Sequence, residues 1–363
     1  MFYRIAGITI KSEFRLAFPS DFECDPAEAD VVLTGGGELP SAGRAFNAGS
    51  LKIYRLPEGW LFTLAEENGA GLIVSEDYTR LCLAGSDSAL AEAGSQIEWL
   101  IRVALECLLA RRGCVSLHAA AVEVDGEAWA FTAPSGTGKS TRAGAWVEAF
   151  GAQLISGDRP LINVGTMELN GVPWDGKEQC CRNVHYPLKM ICEVRRSDRN
   201  YAREMSFAQR RRILLQQCFM PMWDTETSAI QIMNITRLAR TAQIVRMFGG
   251  PLPEDAKALR SILEQGKTEK EEPEIKAKSG FVLRNVVGEY ILMPTGDNIG
   301  KFNGTIAMNG VAALVWEKLQ NPVSRDDLLA AILDKYSIWE EVVAADLDQL
   351  LKKLKDYGVI EEE

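Results

Sequence analysis

Residues 133–140, Ala-Pro-Ser-Gly-Thr-Gly-Lys-Ser, are the part of the chain whose residue types and spacing most directly predict chemistry. They fit the phosphate-loop pattern, except that alanine stands where its first glycine is usual. Gly136 and Gly138 let the backbone point successive N–H groups at an anion. Lys139 can reach the β- and γ-phosphates of ATP and act in catalysis, and the Ser140 hydroxyl is placed for Mg²⁺. The residues predicted to bind the nucleotide are Ser135, Gly136, Thr137, Gly138, Lys139, Ser140 and Thr141.

Two titratable residues suit the same site. Asp158 follows the short apolar run Gln-Leu-Ile-Ser, and an acid at the end of a strand beside a phosphate loop typically holds Mg²⁺. Asp158 and Ser140 are therefore the predicted metal ligands, with a plain surface turn as the alternative for Ser-Gly-Asp-Arg-Pro. His118 lies on the strand before the loop strand, where hairpin pairing could bring it close to the loop. A lone histidine in an apolar strand is, however, more often a core residue.

The periodicity of the chain predicts the elements that position these residues. Two β-like runs flank Asp125-Gly126, a strong signal for a two-residue hairpin turn, and the second run leads into the phosphate loop. A helix is predicted from about Lys139 to Ala149. Another is predicted over residues 86–112, where apolar residues recur at helical spacing until Gly113. Strand, loop and helix in this order are the context in which the loop pattern predicts nucleotide binding.

Composition divides the rest of the chain. The first part alternates short β-like runs with turn residues, and a later stretch is charged with almost no large apolar residues, as in a solvated linker. Beyond it, a hairpin turning at Gly288 and three helices have the content of a small winged-helix-like domain. The helices are predicted at 305–319, 324–336 and 340–357. The predicted segments are a β-rich N-terminal domain (1–85), a catalytic domain (86–264), a linker (265–280) and a C-terminal domain (281–363).

Charge and cysteine usage exclude several classes of function. The formal net charge of -10 argues against broad binding to nucleic acid or to an anionic membrane. None of the 8 cysteines forms a Cys-x-x-Cys pair and only 2 histidines are present, so no structural zinc site is expected. No apolar run approaches the ~18 residues of a membrane span. We expect a cytoplasmic protein with reduced thiols.

The histidine strand, the phosphate loop and the segment Leu-Ile-Ser-Gly-Asp-Arg-Pro together resemble HPr kinase/phosphorylase. The resemblance covers about residues 113–180 and extends loosely to about 264. It implies an α/β phosphate-loop kinase core that uses ATP and Mg²⁺. It also implies that His118, Asp158 and Lys139 are catalytic, with an aspartate as the base towards the acceptor serine. The chain is more similar to kinase-related proteins found with peptide-modifying gene clusters, whose Pro-Trp-x-Gly-Lys/Glu segment resembles residues 171–179.

The chain departs from this family at Gly157, where two consecutive acids are usual. Either Asp158 serves as both metal ligand and base, or His118 is the base, or the chemistry is weakened, and the family's phosphorolytic reverse reaction is in question. Lys177 and Glu178 are candidates for contact with substrate or for supporting a metal ligand. The alternative there is a glycine-rich loop in which Trp174 is a packing anchor. The family's hexamer-forming N-terminal domain is not recognisable, so homo-oligomerisation stays open.

Residues 281–363 resemble the PqqD-like domain, also called the recognition element for ribosomally made, modified peptides. That resemblance implies that the leader of a precursor peptide adds as a strand to a sheet edge, against the third helix. A DNA-binding winged helix is the alternative, but acidic residues match or outnumber basic ones in this region.

The sequence therefore predicts a kinase, an ATP-dependent transferase, that modifies a Ser or Thr hydroxyl of a precursor peptide. Other peptide-modifying enzymes are candidate partners. Two alternatives stay open: a kinase of a small molecule such as serine or of a phosphocarrier protein, and a non-catalytic, ATP-regulated peptide-binding chaperone.

Overall fold

The computed structural model describes residues 1–64, 69–134, 136–174, 180–270, 273–286, 288–299, 302, 304–336 and 340–362. The chain forms two compact units, Met1–Glu269 and Lys270–Glu363. The mixed α/β class and the β-rich N-terminal part are as predicted. The predicted boundary near residue 85 does not separate compact units. One buried cluster joins the N-terminal strands to Leu161, Val172 and Trp174. The predicted segments 1–85 and 86–264 therefore share a core.

The N-terminal sheet has the strand order β1-β2-β3-β8-β7-β6-β5-β4 within the described residues. Its strands are β1 (Phe2–Ile5), β2 (Ile8–Ser12), β3 (Val31–Gly37), β4 (Ala45–Ala48), β5 (Leu51–Leu56), β6 (Gly59–Leu64), β7 (Ala70–Ser75) and β8 (Arg80–Gly85). A 3₁₀ turn spans Ser20–Phe22, and the helices α1 (Asp87–Ala93) and α2 (Ser95–Arg111) follow. The apolar face of α2 is buried in the same cluster as Leu51 and Ile53 of β5, which explains its apolar spacing.

The second sheet of this unit carries residues 133–140, the loop predicted to bind phosphate and called the phosphate loop below. Its strands are β9 (Cys114–Ser116), β10 (Ala119–Val124), β11 (Glu127–Thr132), β12 (Gln153–Ser156), β13 (Leu161–Asn163), β14 (Glu168–Asn170), β15 (His185–Arg196), β16 (Tyr201–Arg203) and β17 (Ile244–Gly249). Its helices are α3 (Lys139–Phe150), α4 (Phe207–Gln217), α5 (Thr225–Thr241) and α6 (Pro253–Glu264). The strand order is β12-β10-β11-β15-β14-β13-β9, and β17 pairs with both β15 and β16.

Parallel pairing brings several strand ends to one edge of this sheet. The strand β15 runs parallel to both β11 and β17, so their carboxyl ends meet where the phosphate loop leaves β11. Side chains of α3 and α6, such as Trp146 and Leu259, pack on one face of the sheet. Side chains of α4 and α5, such as Ile213 and Leu238, pack on the other. In such sheets ligands bind at the carboxyl ends of the strands.

The second unit contains two small sheets and three helices among its described residues. Its elements are β18 (Glu274–Ala277), β19 (Phe281–Val286), β20 (Glu289–Pro294), a 3₁₀ turn (Gly296–Asn298), β21 (Ile306–Met308), α7 (Gly310–Lys318), β22 (Val323–Ser324), α8 (Arg325–Lys335), α9 (Glu340–Asp356) and β23 (Ile360–Glu362). The sheets have the orders β19-β20-β21 and β22-β18-β23. Trp316, Leu328 and Leu347 lie in one buried cluster.

Two sequence-based boundaries differ from the structure. The segment 265–280, predicted as a solvated linker, contains β18, whose Ile275 is buried and which pairs with β22 and β23. Long-range pairing makes this strand, and local composition does not reveal it. The helix predicted from residue 305 begins at Gly310, because 306–308 form β21 and Asn309 caps the helix by accepting a hydrogen bond from Ala312 N.

Candidate functional site

The phosphate loop has the backbone that its glycines suggested. Gly136 has φ +81 and Gly138 has φ +107, in the region that residues with a side chain rarely adopt. Among the described residues, no heavy atom lies within 4 Å of a Cβ placed at either glycine. Backbone conformation, and not lack of space, therefore requires glycine at both positions. Ser135, between Pro134 and Gly136, lies outside the described residues.

Lys139 lies against the loop. Its Nζ donates hydrogen bonds to the carbonyl oxygens of Ala133 (3.0 Å) and Pro134 (3.3 Å). The carbonyl of Gly136 accepts a hydrogen bond from Arg196 Nη2 at 3.2 Å, from the end of β15. Ser140 and Thr141 are exposed on the first turn of α3. The ammonium group and the hydroxyl groups are thus at the end of the helix where the partial positive charge of its dipole lies.

His118 is held next to the end of β11, as hairpin pairing predicted. Its carbonyl accepts a hydrogen bond from Thr132 Oγ1 (2.9 Å), and its N–H donates to the carbonyl of Gln217 (2.8 Å). Its Nε2 lies 3.9 Å from Asp158 Oδ1. Burial lowers the pKa of His118 below its ordinary value, and the charges of Lys139 and Arg159 lower it further, against the opposing charge of Asp158. The imidazole is therefore neutral at pH 7 and can accept a proton.

Asp158 stands just after β12, and its carbonyl accepts a hydrogen bond from Ser156 Oγ at 2.8 Å. Its Oδ2 lies 3.7 Å from Arg102 Nη2 of α2. The same guanidinium lies 3.7 Å from Glu106 Oε1 and 5.3 Å from the centre of the Trp174 ring. Asp158 is therefore oriented between a neutral histidine and an arginine, with 28% of its side chain exposed to reach a ligand.

The structure brings His118 Nε2 within 3.9 Å of Asp158 Oδ1. Lys139 lies beside them, because it donates to the carbonyl of Ala133, the residue after Thr132, whose hydroxyl donates to the His118 carbonyl. The structure adds Arg102 and Arg159, which the sequence did not single out. Arg102 lies four positions before Glu106 on α2, and an arginine at this spacing from an acid is common on helices. Arg159 precedes Pro160 in a segment typical of an ordinary turn. Lys177 and Glu178 lie outside the described residues.

Trp174 is a packing residue, and residues 175–179 of the same segment lie outside the described part of the chain. It is 8% exposed and belongs to the core that residues of the predicted segments 1–85 and 86–264 share. Its ring supports the Arg102 guanidinium. Its contribution to the site is therefore to hold an arginine in place.

A second acid at the same edge of the sheet is already neutralised. Glu193 of β15 is the register neighbour of Thr132, the last residue of β11. Its two carboxylate oxygens lie 2.6 Å from Arg195 Nη2 and 2.6 Å from Arg246 Nε, and Glu193 and Arg246 are both buried. A carboxylate held by two arginines is a poor metal ligand. Asp158 is therefore the better candidate of the two.

No group of three or more His, Cys, Asp or Glu side chains in the described part of the chain is arranged to hold a metal ion. Mg²⁺ in nucleotide sites needs no such group, because one or two protein oxygens and the phosphates bind it. The exposed Ser140 hydroxyl and the partly exposed Asp158 carboxylate fit that requirement. None of the described helices is both long and apolar enough to cross a membrane.

A cavity of about 690 Å³ lies elsewhere in this unit. It is lined by residues near the start of β17 and the end of α6, including Gln243, Ile244 and Leu263. None of the phosphate-loop residues, His118 or Asp158 lines it. It lies away from the carboxyl edge at which ligands of such sheets bind.

Comparison with known proteins bears on the second unit. Residues 289–360 match the family model described as "Coenzyme PQQ synthesis protein D (PqqD)", so the chain carries a C-terminal PqqD domain, as predicted. The solved structure described as "TbiB1 in Complex with the TbiA(beta) Leader Peptide" is 20% identical over 24% of this chain and 94% of that chain, with a TM-score of 0.21. No curated protein matches the chain.

Proposed function

We propose that this protein is an ATP-dependent kinase that phosphorylates a Ser or Thr hydroxyl of a ribosomally made precursor peptide recruited through its PqqD domain. The observation that supports it most is the grouping of Lys139, His118 and Asp158 where a glycine loop leaves β11. This constellation is combined in one chain with a PqqD domain.

Each residue has a role in phosphoryl transfer. The backbone N–H groups of the loop and Lys139 hold the phosphates of ATP. Ser140 and Asp158 would hold Mg²⁺, which would supply positive charge to neutralise the phosphates. His118 accepts the proton of the acceptor hydroxyl while the hydroxyl oxygen attacks the γ-phosphorus of ATP. The bond from that phosphorus to the β–γ bridging oxygen breaks, and ADP leaves. The Asp158 carboxylate, 3.9 Å from His118 Nε2, stabilises the imidazolium that forms.

The PqqD domain contributes by tethering. Strands β19 and β21 are the edges of their sheet among the described residues, and an extended leader can pair with such an edge. Once the leader is bound, the rest of the peptide has a local concentration of ~mM for a short flexible connection. A weakly bound acceptor is then phosphorylated without a deep pocket of its own.

The test compares three acceptors with the full chain and ATP-Mg²⁺: a leader-bearing precursor encoded beside the gene, the same peptide without its leader, and free serine. The proposal expects a gain of about 80 Da on the first and much slower transfer to the others. Transfer to serine alone would make the protein a small-molecule kinase. If no acceptor is phosphorylated and ATP changes the affinity for the leader, the protein is a chaperone. The glycine at position 157, where an acid is usual, would then explain the lack of transfer.

A further inference from the structure

Arg159 differs from the other basic residues of the site in its partners. Lys139 donates to loop carbonyls, and Arg102 lies between Asp158, Glu106 and the Trp174 ring. The Nη1 of Arg159 is buried and has no hydrogen-bond partner in the described part of the chain. A buried N–H donor without an acceptor is unfavourable in a folded protein, so each such group needs an explanation.

The backbone of Arg159 is also unfavourable. Its φ of +51 is in the left-handed region, which arginine rarely adopts, and it precedes Pro160, which disfavours helical backbone conformations. The following carbonyl, that of Pro160, accepts a hydrogen bond from Leu117 N at 3.2 Å. This bond ties the turn to the residue before His118. The fold therefore holds Arg159 in a costly conformation beside the proposed proton acceptor.

The charge of Arg159 acts inside the site. Its guanidinium contributes to the lowered pKa of His118 and opposes the effect of burial on the pKa of the Cys218 thiol. The geometric counterpart is the backbone hydrogen bond from Leu117 to Pro160, because these residues are the chain neighbours of His118 and Arg159. Two buried arginines of this unit have partners: Arg246 lies 2.6 Å from Glu193, and Arg142 donates to the carbonyl oxygens of Gly249 and Gly250. Arg159 forms no ion pair within the described residues, and a bound anion would balance its charge.

We infer that the Arg159 guanidinium binds the phosphoryl group during transfer, donating to one of its equatorial oxygens. This inference rests on the proposed kinase function and adds to it the residue that neutralises the transferring group. In phosphoryl transfer the negative charge on those oxygens is countered by metal and cationic side chains, and an arginine supplied for this purpose accelerates transfer greatly. Arg159 makes this contact chiefly in the transition state, whereas Lys139 and the loop hold ATP in the ground state as well.

The test measures the affinity of the full chain for ADP-Mg²⁺ with and without fluoroaluminate, which mimics the transferring phosphoryl group and needs no acceptor. For Arg159→Ala we expect ADP affinity to change less than about threefold, and affinity for the ADP–fluoroaluminate complex to fall by about a hundredfold or more. Arg159→Lys, which keeps a charge but loses the planar fork, should lie in between. Arg112→Ala, which removes an exposed partner of Asp30, is the matched control and should change neither affinity.

Thermal unfolding separates this role from a structural one. Arg159→Gly removes the unpartnered donor and suits the left-handed backbone, so its Tm should equal or exceed that of the wild type while fluoroaluminate binding is lost. A fall in Tm of several degrees for the Ala, Lys and Gly variants together would make Arg159 structural and overturn the inference. Equal loss of ADP and fluoroaluminate affinity, or loss of neither, would overturn it too.

The proposed function fails in a different way in the same experiment. If the wild type binds ADP-Mg²⁺ but fluoroaluminate adds nothing, the site does not stabilise a transferring phosphoryl group. That result would contradict the kinase proposal itself. If instead fluoroaluminate strengthens ADP binding equally in the wild type and Arg159→Ala, the kinase proposal stands and only the role of Arg159 is wrong.

Discussion

The Nε2 atom of His118 lies 3.9 Å from Asp158 Oδ1, although 40 positions separate the two residues in the chain. The pairing of β10 with both β11 and β12 brings them together, because His118 precedes β10 and Asp158 follows β12. A histidine kept neutral by burial thus has a carboxylate ready to stabilise its charged form. Because Asp158 Oδ2 also lies 3.7 Å from Arg102 Nη2, the mechanism we propose assigns proton acceptance to His118 and stabilisation of the imidazolium to Asp158.

The pH dependence of transfer should report His118. Burial and two cations lower its pKa below the ordinary 6.5, so kcat/KM should stay level at neutral pH and fall only as pH drops through that lowered pKa. His118→Gln should lower turnover at pH 7 by about 10²–10⁴-fold and abolish this acid limb. A wild-type profile that already falls above pH 6.5 would contradict the assignment.

The same group should make folding stability depend on pH. In the unfolded chain His118 regains its ordinary pKa of 6.5 and binds protons more readily than in the folded state. Its contribution is therefore fully present above pH 6.5 and is lost as pH falls towards the lowered folded value. Urea unfolding of the wild type and His118→Gln across this window should show a steeper loss of stability in the wild type. Parallel curves would mean that His118 titrates normally.

Asp158→Asn should separate catalysis from nucleotide binding. The amide keeps the shape but loses the charge that faces the metal and His118, so turnover should fall by orders of magnitude while ATP still binds within about tenfold. The matched control is Asp125→Asn, at the hairpin turn, where asparagine is a favoured residue and only an exposed ion pair with Arg260 is lost. Its turnover should match that of the wild type. Similar activity in both variants would remove Asp158 from the site.

Substitution by alanine should change folding stability in opposite directions at two glycines, one before α3 and one within it. Gly138, with φ +107, resists a side chain, so Gly138→Ala should destabilise the fold by about 1–2 kcal/mol and weaken ATP binding. Gly144 lies within α3, and among the described residues there is open space where its Cβ would stand. Gly144→Ala should therefore stabilise by about 0.5–1 kcal/mol and leave ATP affinity unchanged. Chemical denaturation and nucleotide titration measure both. The loop geometry is wrong if Gly138→Ala is neutral in both assays.

The hairpin turn, the loop and the helix of the site could be predicted from sequence, because each depends on a few neighbouring residues. Asp125-Gly126 gives a hairpin turn with both residues at positive φ, and Gly136, Gly138 and Lys139 lie where a strand gives way to a helix. The apolar spacing of α2 also predicts buried residues that the structure confirms, such as Leu100, Leu105 and Leu108. Such features are set by a few neighbouring residues, so the sequence carries them directly.

Features that depend on distant contacts could not be predicted. Arg102 reaches Asp158 only because α2 packs beside the second sheet, and nothing in its helix distinguishes it from a surface arginine. Arg159 is unusual only through its buried, unpartnered Nη1 and its φ. The strand β18 forms because Ile275 finds a buried place against elements from the end of the chain. In each case the decisive partner is remote in sequence.

We expect one compact unit to bind ATP and transfer the phosphoryl group, and the other to bind the leader peptide. A chain of residues Met1–Glu269 keeps the clusters around the phosphate loop and should bind ATP as the full chain does. It should phosphorylate a leader-bearing precursor with a KM raised by about 10²–10⁴-fold, because only tethering is lost. The control is the leaderless peptide, on which truncated and full chains should perform alike. Equal KM values on the leader-bearing peptide would show that the PqqD domain does not recruit it.

The central claim is that Lys139, His118 and Asp158 form a phosphoryl-transfer site acting on a peptide. The most direct measurement is the intact mass and fragmentation of a leader-bearing precursor after incubation with ATP-Mg²⁺ and either the wild type or Lys139→Ala. Lys139→Ala removes the positive charge that the protein places next to the phosphates, so the variant should bind ATP weakly. We predict a gain of about 80 Da on one Ser or Thr outside the leader with the wild type, and none with the variant. No gain with the wild type, or the same gain with both proteins, would contradict the account.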